Sequence, residues 1–314
     1  MPGKIITVFG ATGAQGGGLA RAILAQPASG FSVRAVTRKP DSDAAKALRA
    51  AGAEVVAADM DDAGSVQRAL AGAWGAFCVT NFWEHFSPEK ELAQAAAMAD
   101  GAAKVGVQHV IWSTLEDTRT FFAPDGTRMP VLMGKYNVPH FDAKGEANKL
   151  FTAKVPTTLL YTSFYWDNLI HFGMGPKKGP DGVLAFTLPM ADKRMSGIAA
   201  GDIGRCALGI FKEGAAHIGK SVGIAGEHLT GAQMAAELTK ALGQAVRYNA
   251  VTPAQYRSFG FPGADDLGNM FQFYAEFEEA FMKARPVDVA RRLNPDLQTF
   301  AAFIARNKER IPLG

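Results

Sequence analysis

Ile5-Ile6-Thr7-Val8-Phe9-Gly10-Ala11-Thr12-Gly13-Ala14-Gln15-Gly16 is the stretch that decides the fold. A short apolar run, Ile5 to Phe9, stops at Gly10 and is followed by a helical pattern from Leu19 to Gln26. Glycines at 10, 13 and 16 permit a tight turn and let the backbone approach a pyrophosphate closely. They also leave the N–H groups of a helix N-terminus facing the anion. Thr12, Ala14 and Gln15 belong to the same turn. The spacing is GxxGxxG rather than GxGxxG.

Outward from this turn, strand and helix patterns alternate. Phe31 to Thr37, Glu54 to Ala58, Ala76 to Thr80, Gln108 to Ser113 and Thr157 to Tyr161 read as strands. Helical patterns lie between them at Asp43 to Ala51, Asp62 to Ala71, Ser87 to about Val105 and His140 to Ala153. Ser87-Pro88-Glu89 carries a cap and a proline at the first helical position. Repeated βα units with apolar strands predict an α/β fold, a Rossmann-type doubly wound parallel sheet covered on both faces. After Tyr161 the alternation lapses. Gly173 to Gly182 is turn-rich, Ser221 to Ala225 reads as a late strand, and Thr230 to Leu242 and Val287 to Arg306 contain helical segments. The expected organisation is a dinucleotide-binding domain over 1–160 and a smaller α+β lobe over 161–314. The two are interleaved, with the strand near 221–225 rejoining the sheet.

Composition narrows the function classes. The 314 residues are 48% hydrophobic and 20% charged, which is ordinary globular usage and excludes disordered and coiled-coil chains. Lys plus Arg number 33 against 30 Asp plus Glu, and this surplus is too small for a general nucleic-acid-binding surface. No run of about 18 apolar residues is available to span a membrane. Met1 to Lys4 lead directly into an apolar run that ends at a glycine loop, so no signal peptide is expected. The two cysteines, Cys78 and Cys206, lie far apart, and the histidines lack metal-ligand spacing, so neither a disulfide framework nor a metal site is expected. Cytoplasmic localisation follows as the expectation, as a monomer or homodimer without direct nucleic-acid or membrane contact.

The end of the second strand chooses the dinucleotide. No Asp or Glu occurs between Phe31 and Pro40, and the strand ends Thr37-Arg38-Lys39. An acid there would hold a ribose 2′-hydroxyl, whereas an arginine pairs with a 2′-phosphate, so the expected cofactor is NADP(H). Asp59-Met60 ends the third strand, where an adenine edge rests, although Asp59 serves equally as the N-cap of the next helix. Thr80-Asn81-Phe82 ends the fourth strand and is expected beside the nicotinamide half.

Short-chain dehydrogenases place Tyr-x-x-x-Lys on one helix, where the phenol transfers the proton and the lysine lowers its pKa. No tyrosine here has a lysine four residues later. His140-Phe141-Asp142-Ala143-Lys144 occupies the position, and Ser113 stands where the helper serine falls. Lys144 is placed to hold the nicotinamide ribose or, if desolvated, to act as acid or base. His140, with an ordinary pKa of about 6.5, either donates the proton or merely caps the helix.

Together with Val8 to Gly17, Val36-Thr37-Arg38, Val79 to Glu84, His140 to Glu146, Tyr165 to Leu169 and Phe261 to Tyr274, these residues resemble the NmrA-like family of atypical short-chain dehydrogenases. The resemblance covers nearly the whole chain. It implies NADP(H) binding, with contacts at Thr12, Gly13, Gln15, Arg38, Asp59, Thr80, Asn81, Lys144, Tyr165 and Asn168. Regulatory members lack the catalytic tyrosine and signal redox state through protein partners. Quinone and isoflavone reductase-like members retain activity with a lysine at the place of Lys144.

Three departures from the regulatory pattern stand out. Pro40-Asp41-Ser42 replaces further basic residues, and Tyr161 replaces an arginine. The segment from Thr118 to Pro139 is longer, and its Phe121, Phe122, Met129, Met133 and Tyr136 either line a substrate site or form a packed flap. A redox sensor acting through protein partners is the first expectation. The alternative is a reductase of a small hydrophobic quinone, enone or aromatic carbonyl using Lys144 or His140, with Phe82, Trp83, Phe164, Tyr165 and Trp166 around the substrate.

Overall fold

The computed structural model describes residues 3–122 and 127–314. At its centre are seven parallel strands: β1 (Lys4–Val8), β2 (Phe31–Thr37), β3 (Glu54–Ala57), β4 (Gly75–Cys78), β5 (His109–Thr114), β6 (Thr157–Tyr161) and the late strand Ser221–Gly223. Their spatial order is late strand, β6, β5, β4, β1, β2, β3. The chain therefore winds outward from β1 to β3, then returns to β4 on the other side of β1. That reversal opens a crevice beyond the carboxyl ends of β1 and β4, where ligands of doubly wound sheets bind.

Helices cover both faces. On one side lie α1 (Ala14–Leu24) and α2 (Asp43–Ala50); on the other lie α3 (Ala63–Leu70), α4 (Pro88–Lys104) and α5 (Pro139–Thr152). Strand residues serve the two faces alternately: Val33 and Ala35 join the α1 side, and Val36 joins the α3–α4 side. Caps fix the helix starts, with Ser87 Oγ accepting from Lys90 N–H ahead of Pro88, as its sequence implied. Helix α1 begins at Ala14, five residues before the apolar periodicity becomes visible.

The remaining chain adds α6 (Asn168–His171), α7 (Ala200–Glu213), α8 (Gly231–Leu242), α9 (Pro253–Arg257) and α10 (Ala264–Glu276). Two small three-stranded sheets accompany them. One joins Phe164–Tyr165, Arg194–Ile198 and Glu227–Thr230, and the other joins Lys177–Lys178, Leu184–Leu188 and Val246–Ala250. A separate, aromatic-rich core forms beneath them. Helix α7 nonetheless packs on α1, so this half is built into the central sheet's own layers. The crossing is close: a Cβ on Gly204 would lie 2.0 Å from Leu19 N. Buried Arg285 ties the halves further, with its guanidinium forked onto Glu116 at 2.6 and 2.7 Å and its Nε donating to the Thr162 carbonyl.

Candidate functional site

The β1–α1 turn is shaped by contacts that only glycine allows. Gly10 adopts a φ of +63°, and its carbonyl accepts from Gly13 N–H at 2.9 Å. A Cβ on Gly16 would lie 2.5 Å from the carbonyl oxygens of both Phe9 and Gly10. No side chain caps α1, and its first turn carries no acid, so the positive end of the helix is presented to the crevice.

A continuous cavity of about 1340 Å³ opens there and runs inward to an aromatic chamber. Gly10, Thr12, Gly13, Ala14, Gln15, Gly16, Thr37, Arg38, Lys39, Met60, Thr80, Asn81, Phe82, His140, Lys144, Tyr165 and Asn168 all contribute to its wall. Two sequence candidates do not. Asp59 Oδ1 accepts from Asp61 N–H in its own loop, and the N-cap of α3 is Asp62, which accepts from Gly64 and Ser65. The capping expectation for Asp59 thus gives way to Asp62, and Asp59 itself closes a local turn. Ser113 is buried behind the wall, where Oγ donates to Gln15 Oε1 at 2.7 Å. Gln15 Nε2 in turn donates to the Tyr165 hydroxyl. Burial pushes the Tyr165 phenol up to about 12, offset in part by hydrogen bonding to Thr162 and Gln15, so it remains protonated at neutral pH.

Lys144 is held by a residue that the sequence did not single out. Its Nζ lies 2.6 Å from Glu91 Oε1, 2.6 Å from Thr80 Oγ1 and 3.1 Å from the Thr80 carbonyl. Glu91 sits in the first turn of α4 and is fully buried. Burial pushes its carboxyl up, but the Lys144 charge, the neighbouring His85 and a hydrogen bond from Thr80 outweigh this and hold it at about 2. Two hydrogen bonds to Thr80 and the ion pair with Glu91 together hold the ammonium in place. Nothing in the local pattern separates Glu91 from exposed Glu89, so its role was invisible before the fold was known.

One turn earlier on α5, His140 faces the C-terminal half. Its Nδ1 bonds to Asp266 Oδ1, and its backbone N–H donates to Asp266 Oδ2 at 3.2 Å. Trp83 packs on the imidazole with ring centroids 4.7 Å apart. Beyond it, the chamber is walled by Phe164, Tyr256, Leu267, Met270 and Tyr274. Phe86, Phe172, Phe259 and Phe261 stand at the mouth, 38 to 59% exposed. Trp166, expected in this wall, instead packs in the core against Phe300 and Phe303.

The 118–139 segment forms a flap rather than a substrate wall. Phe122, Met129 and Tyr136 are buried, Phe121 and Met133 are exposed, and none of the five lines the cavity. Residues 123–126 of this stretch lie outside the described structure. Buried Asp142 ties the flap down, accepting from Thr118, Asn137 and Val138 N–H groups. From α10, Asn269 Nδ2 donates to the Pro130 and Asn137 carbonyls. The distinctive 261–274 block is thus both a chamber wall and the staple for this flap.

Among the described residues, no cluster of His, Cys, Asp or Glu is arranged to hold a metal, and no helix is long and apolar enough to cross a membrane. Both cysteines are buried, and burial raises their thiols far above the ordinary range.

The strand order, the glycine turn and the crevice at the switch point define a Rossmann-type dinucleotide-fold protein. The sequence pattern of the NmrA-like family matches residues 2–304, and the chain belongs to that family. The NmrA-like family domain-containing oxidoreductase FrzB of Cladobotryum sp is 30% identical over 288 residues, spanning 86% of this chain and 83% of FrzB. The NmrA-like family domain-containing oxidoreductase lnbB of Aspergillus flavus is 31% identical over 293 residues, spanning 86% and 83%. Among solved structures, NmrA, a negative transcriptional regulator in complex with NADP, superposes with a TM-score of 0.78. It is 23% identical and covers 97% of this chain and 95% of its own. Citrobacter sp. triphenylmethane reductase complexed with NADP(H) gives 0.73 at 18% identity, covering 97% and 99%.

Proposed function

We propose that the protein is an NADP(H)-dependent oxidoreductase that reduces a quinone, enone or aromatic carbonyl carried on a large apolar molecule. The observation behind this choice is the single cavity joining the glycine turn to the aromatic chamber, with His140 and Lys144 at the junction. At about 1340 Å³ it exceeds the roughly 300–1,000 Å³ of a usual small-molecule pocket, leaving room for a dinucleotide and a second molecule. The residues fit the cofactor. The uncapped start of α1 receives the pyrophosphate, Arg38 and Lys39 receive the 2′-phosphate, and Thr80, Asn81 and Phe82 border the nicotinamide half.

When bound, the reduced nicotinamide supplies hydride. Lys144 contributes a fixed positive charge, because Thr80 and the buried Glu91 hold the ammonium in place. The chamber's aromatic walls select flat apolar rings and exclude water around the reacting group. Named relatives of similar length are oxidoreductases, which agrees with this choice.

A redox sensor is the second reading, favoured by the missing Tyr-x-x-x-Lys and by the engagement of Lys144 with Glu91. NADPH consumption across a panel of quinones, enones and aromatic carbonyls separates the two. Sustained turnover that falls in Lys144→Ala is expected for the reductase. NADPH-dependent protection from proteolysis without turnover of any panel member would favour the sensor.

A further inference from the structure

We propose that His140 and Asp266 form a proton-donating pair where the glycine-turn end of the cavity meets the aromatic chamber, with His140 Nε2 as the donor and Asp266 as its positioning residue. The proposal rests on the reductase function above and names the source of its proton. Asp266 grips His140 through both carboxylate oxygens, Oδ1 on the ring Nδ1 and Oδ2 on the backbone N–H, and both side chains are more than nine-tenths buried. This contact fixes the ring's orientation and places the Nδ1 proton on the Asp266 side. Nε2 is left as the working atom. Among the described residues it has no hydrogen-bond partner, yet it is not sealed in as His85 Nε2 is, and His140 lines the cavity. Phe82, Trp83 and Phe141 surround the ring with apolar surface.

Lys144 is the competing donor, and the geometry disfavours it. Its ammonium is hydrogen-bonded twice to Thr80 and paired with Glu91, so donating a proton would break a buried ion pair. His140 gives its proton without disturbing that pair. As hydride from the dinucleotide forms the new bond at the reacting carbon, the carbonyl π electrons move onto oxygen. The oxygen takes the proton from Nε2, whose bonding pair stays on the nitrogen. His140 is left neutral with Nδ1–H still donated to Asp266, and solvent entering at the mouth reprotonates Nε2. The sum is carbonyl plus NADPH plus one proton giving alcohol plus NADP⁺. Other titratable groups on the elements packed around His140 are Asp142, Lys144, Glu146 and Lys149 on α5, Asp265, Tyr274 and Glu276 on α10, and Glu84 and His85 after β4.

Asp266 also satisfies the start of α5, where Val138 offers no side-chain cap, so the experiment must separate capping from proton transfer. His140→Gln, Asp266→Asn and Asp266→Ala are compared with wild type for melting, NADPH binding by fluorescence, kcat and KM across pH, and imidazole tautomer by ¹⁵N NMR. His140→Gln should bind NADPH as wild type does and lose about 10²- to 10⁴-fold in kcat with little change in KM. It should also lose the decline in rate at high pH. Asp266→Asn keeps an acceptor but not the charge, and should lower kcat at least about tenfold at unchanged KM. Neutral His140 should carry its proton on Nδ1 in wild type and shift toward Nε2 in Asp266→Ala. If His140→Gln turns over within about twofold of wild type, or wild-type His140 is the Nε2–H tautomer, the pair is not the donor. If Asp266→Asn lowers only the melting temperature, Asp266 is a cap alone and its positioning role is overturned. If wild type oxidises no NADPH with any panel member, the reductase function itself fails, and that result is distinct from every outcome in the variants.

Discussion

Replacing Glu84 by glutamine removes the carboxylate that now pairs with Arg38, and so tests what Arg38 is for. Arg38 Nη1 lies 2.5 Å from Glu84 Oε1, and the two side chains are 54% and 41% exposed. Hydrogen bonding to Glu84 is the main reason the guanidinium is held above its ordinary pKa, with Asp59 and Asp61 adding to the field. A 2′-phosphate brought to Arg38 therefore also meets an anion. At about 4 Å in water-like surroundings each unit-charge pair is worth roughly 1 kcal/mol, before salt screening. Glu84→Gln should then tighten NADPH about fivefold and leave NADH nearly unchanged. Arg38→Ala removes a charge-assisted contact of roughly 1.5–3 kcal/mol and should weaken NADPH about ten- to a hundredfold. Titration calorimetry with both dinucleotides, at low and moderate salt, measures the ratio directly. Equal loss of NADPH and NADH affinity in Arg38→Ala, or an unchanged ratio in Glu84→Gln, would refute the assignment of Arg38 to the phosphate.

Gly16→Ala places a methyl 2.5 Å from two backbone carbonyls, so the β1–α1 turn must open; urea melts should show about 1–3 kcal/mol of destabilisation together with lost NADPH binding. Glu91→Gln breaks a buried ion pair from one side and should cost about 3–5 kcal/mol near neutral pH. The Glu91 carboxyl is depressed to about 2, so its stabilisation is complete above its unfolded pKa of about 4.5. It is lost as pH falls toward 2, and the gap between wild type and Glu91→Gln should close over that window in denaturant titrations. His109 is depressed to about 4, by burial first and by His217 second. The unfolded chain therefore takes up this proton first, and about 3 kcal/mol of stability present above pH 6.5 is lost between there and pH 4. His109→Gln should flatten the stability profile across that interval.

Where local chemistry sets the structure, the sequence was legible. The glycine turn, Ser87 before Pro88, and the strand Thr157–Tyr161 all appear where spacing and capping place them. Helix α7 stays out of the sequence reading, because Gly201, Gly204 and Gly209 interrupt its pattern. Gly204 is instead what lets α7 approach α1. The small sheets were hidden for another reason. Strands of two to five residues such as Phe164–Tyr165 and Arg194–Ile198 are specified by partners far along the chain, not by their own alternation. The site divides in the same way. His140 and Lys144 were recognisable from their position in a helix after the fifth strand. Their carboxylate partners, Asp266 and Glu91, acquire meaning only when folding brings α10 and α4 against α5. Asp59 shows the converse for capping alone, since Asp62, three residues on, takes the cap that strand-end position offered equally to Asp59.

If one cavity brings reduced dinucleotide and an apolar acceptor together for hydride transfer, hydride must pass directly from one to the other. The most direct test is transfer of label from NADPH deuterated at nicotinamide C4 to a quinone, enone or aromatic carbonyl acceptor, followed by mass spectrometry of the reduced product and NADPH absorbance. The expected result is NADPH oxidation that requires both acceptor and protein, with deuterium on carbon of the reduced enone or carbonyl. Tight NADPH binding without oxidation by any acceptor would contradict it.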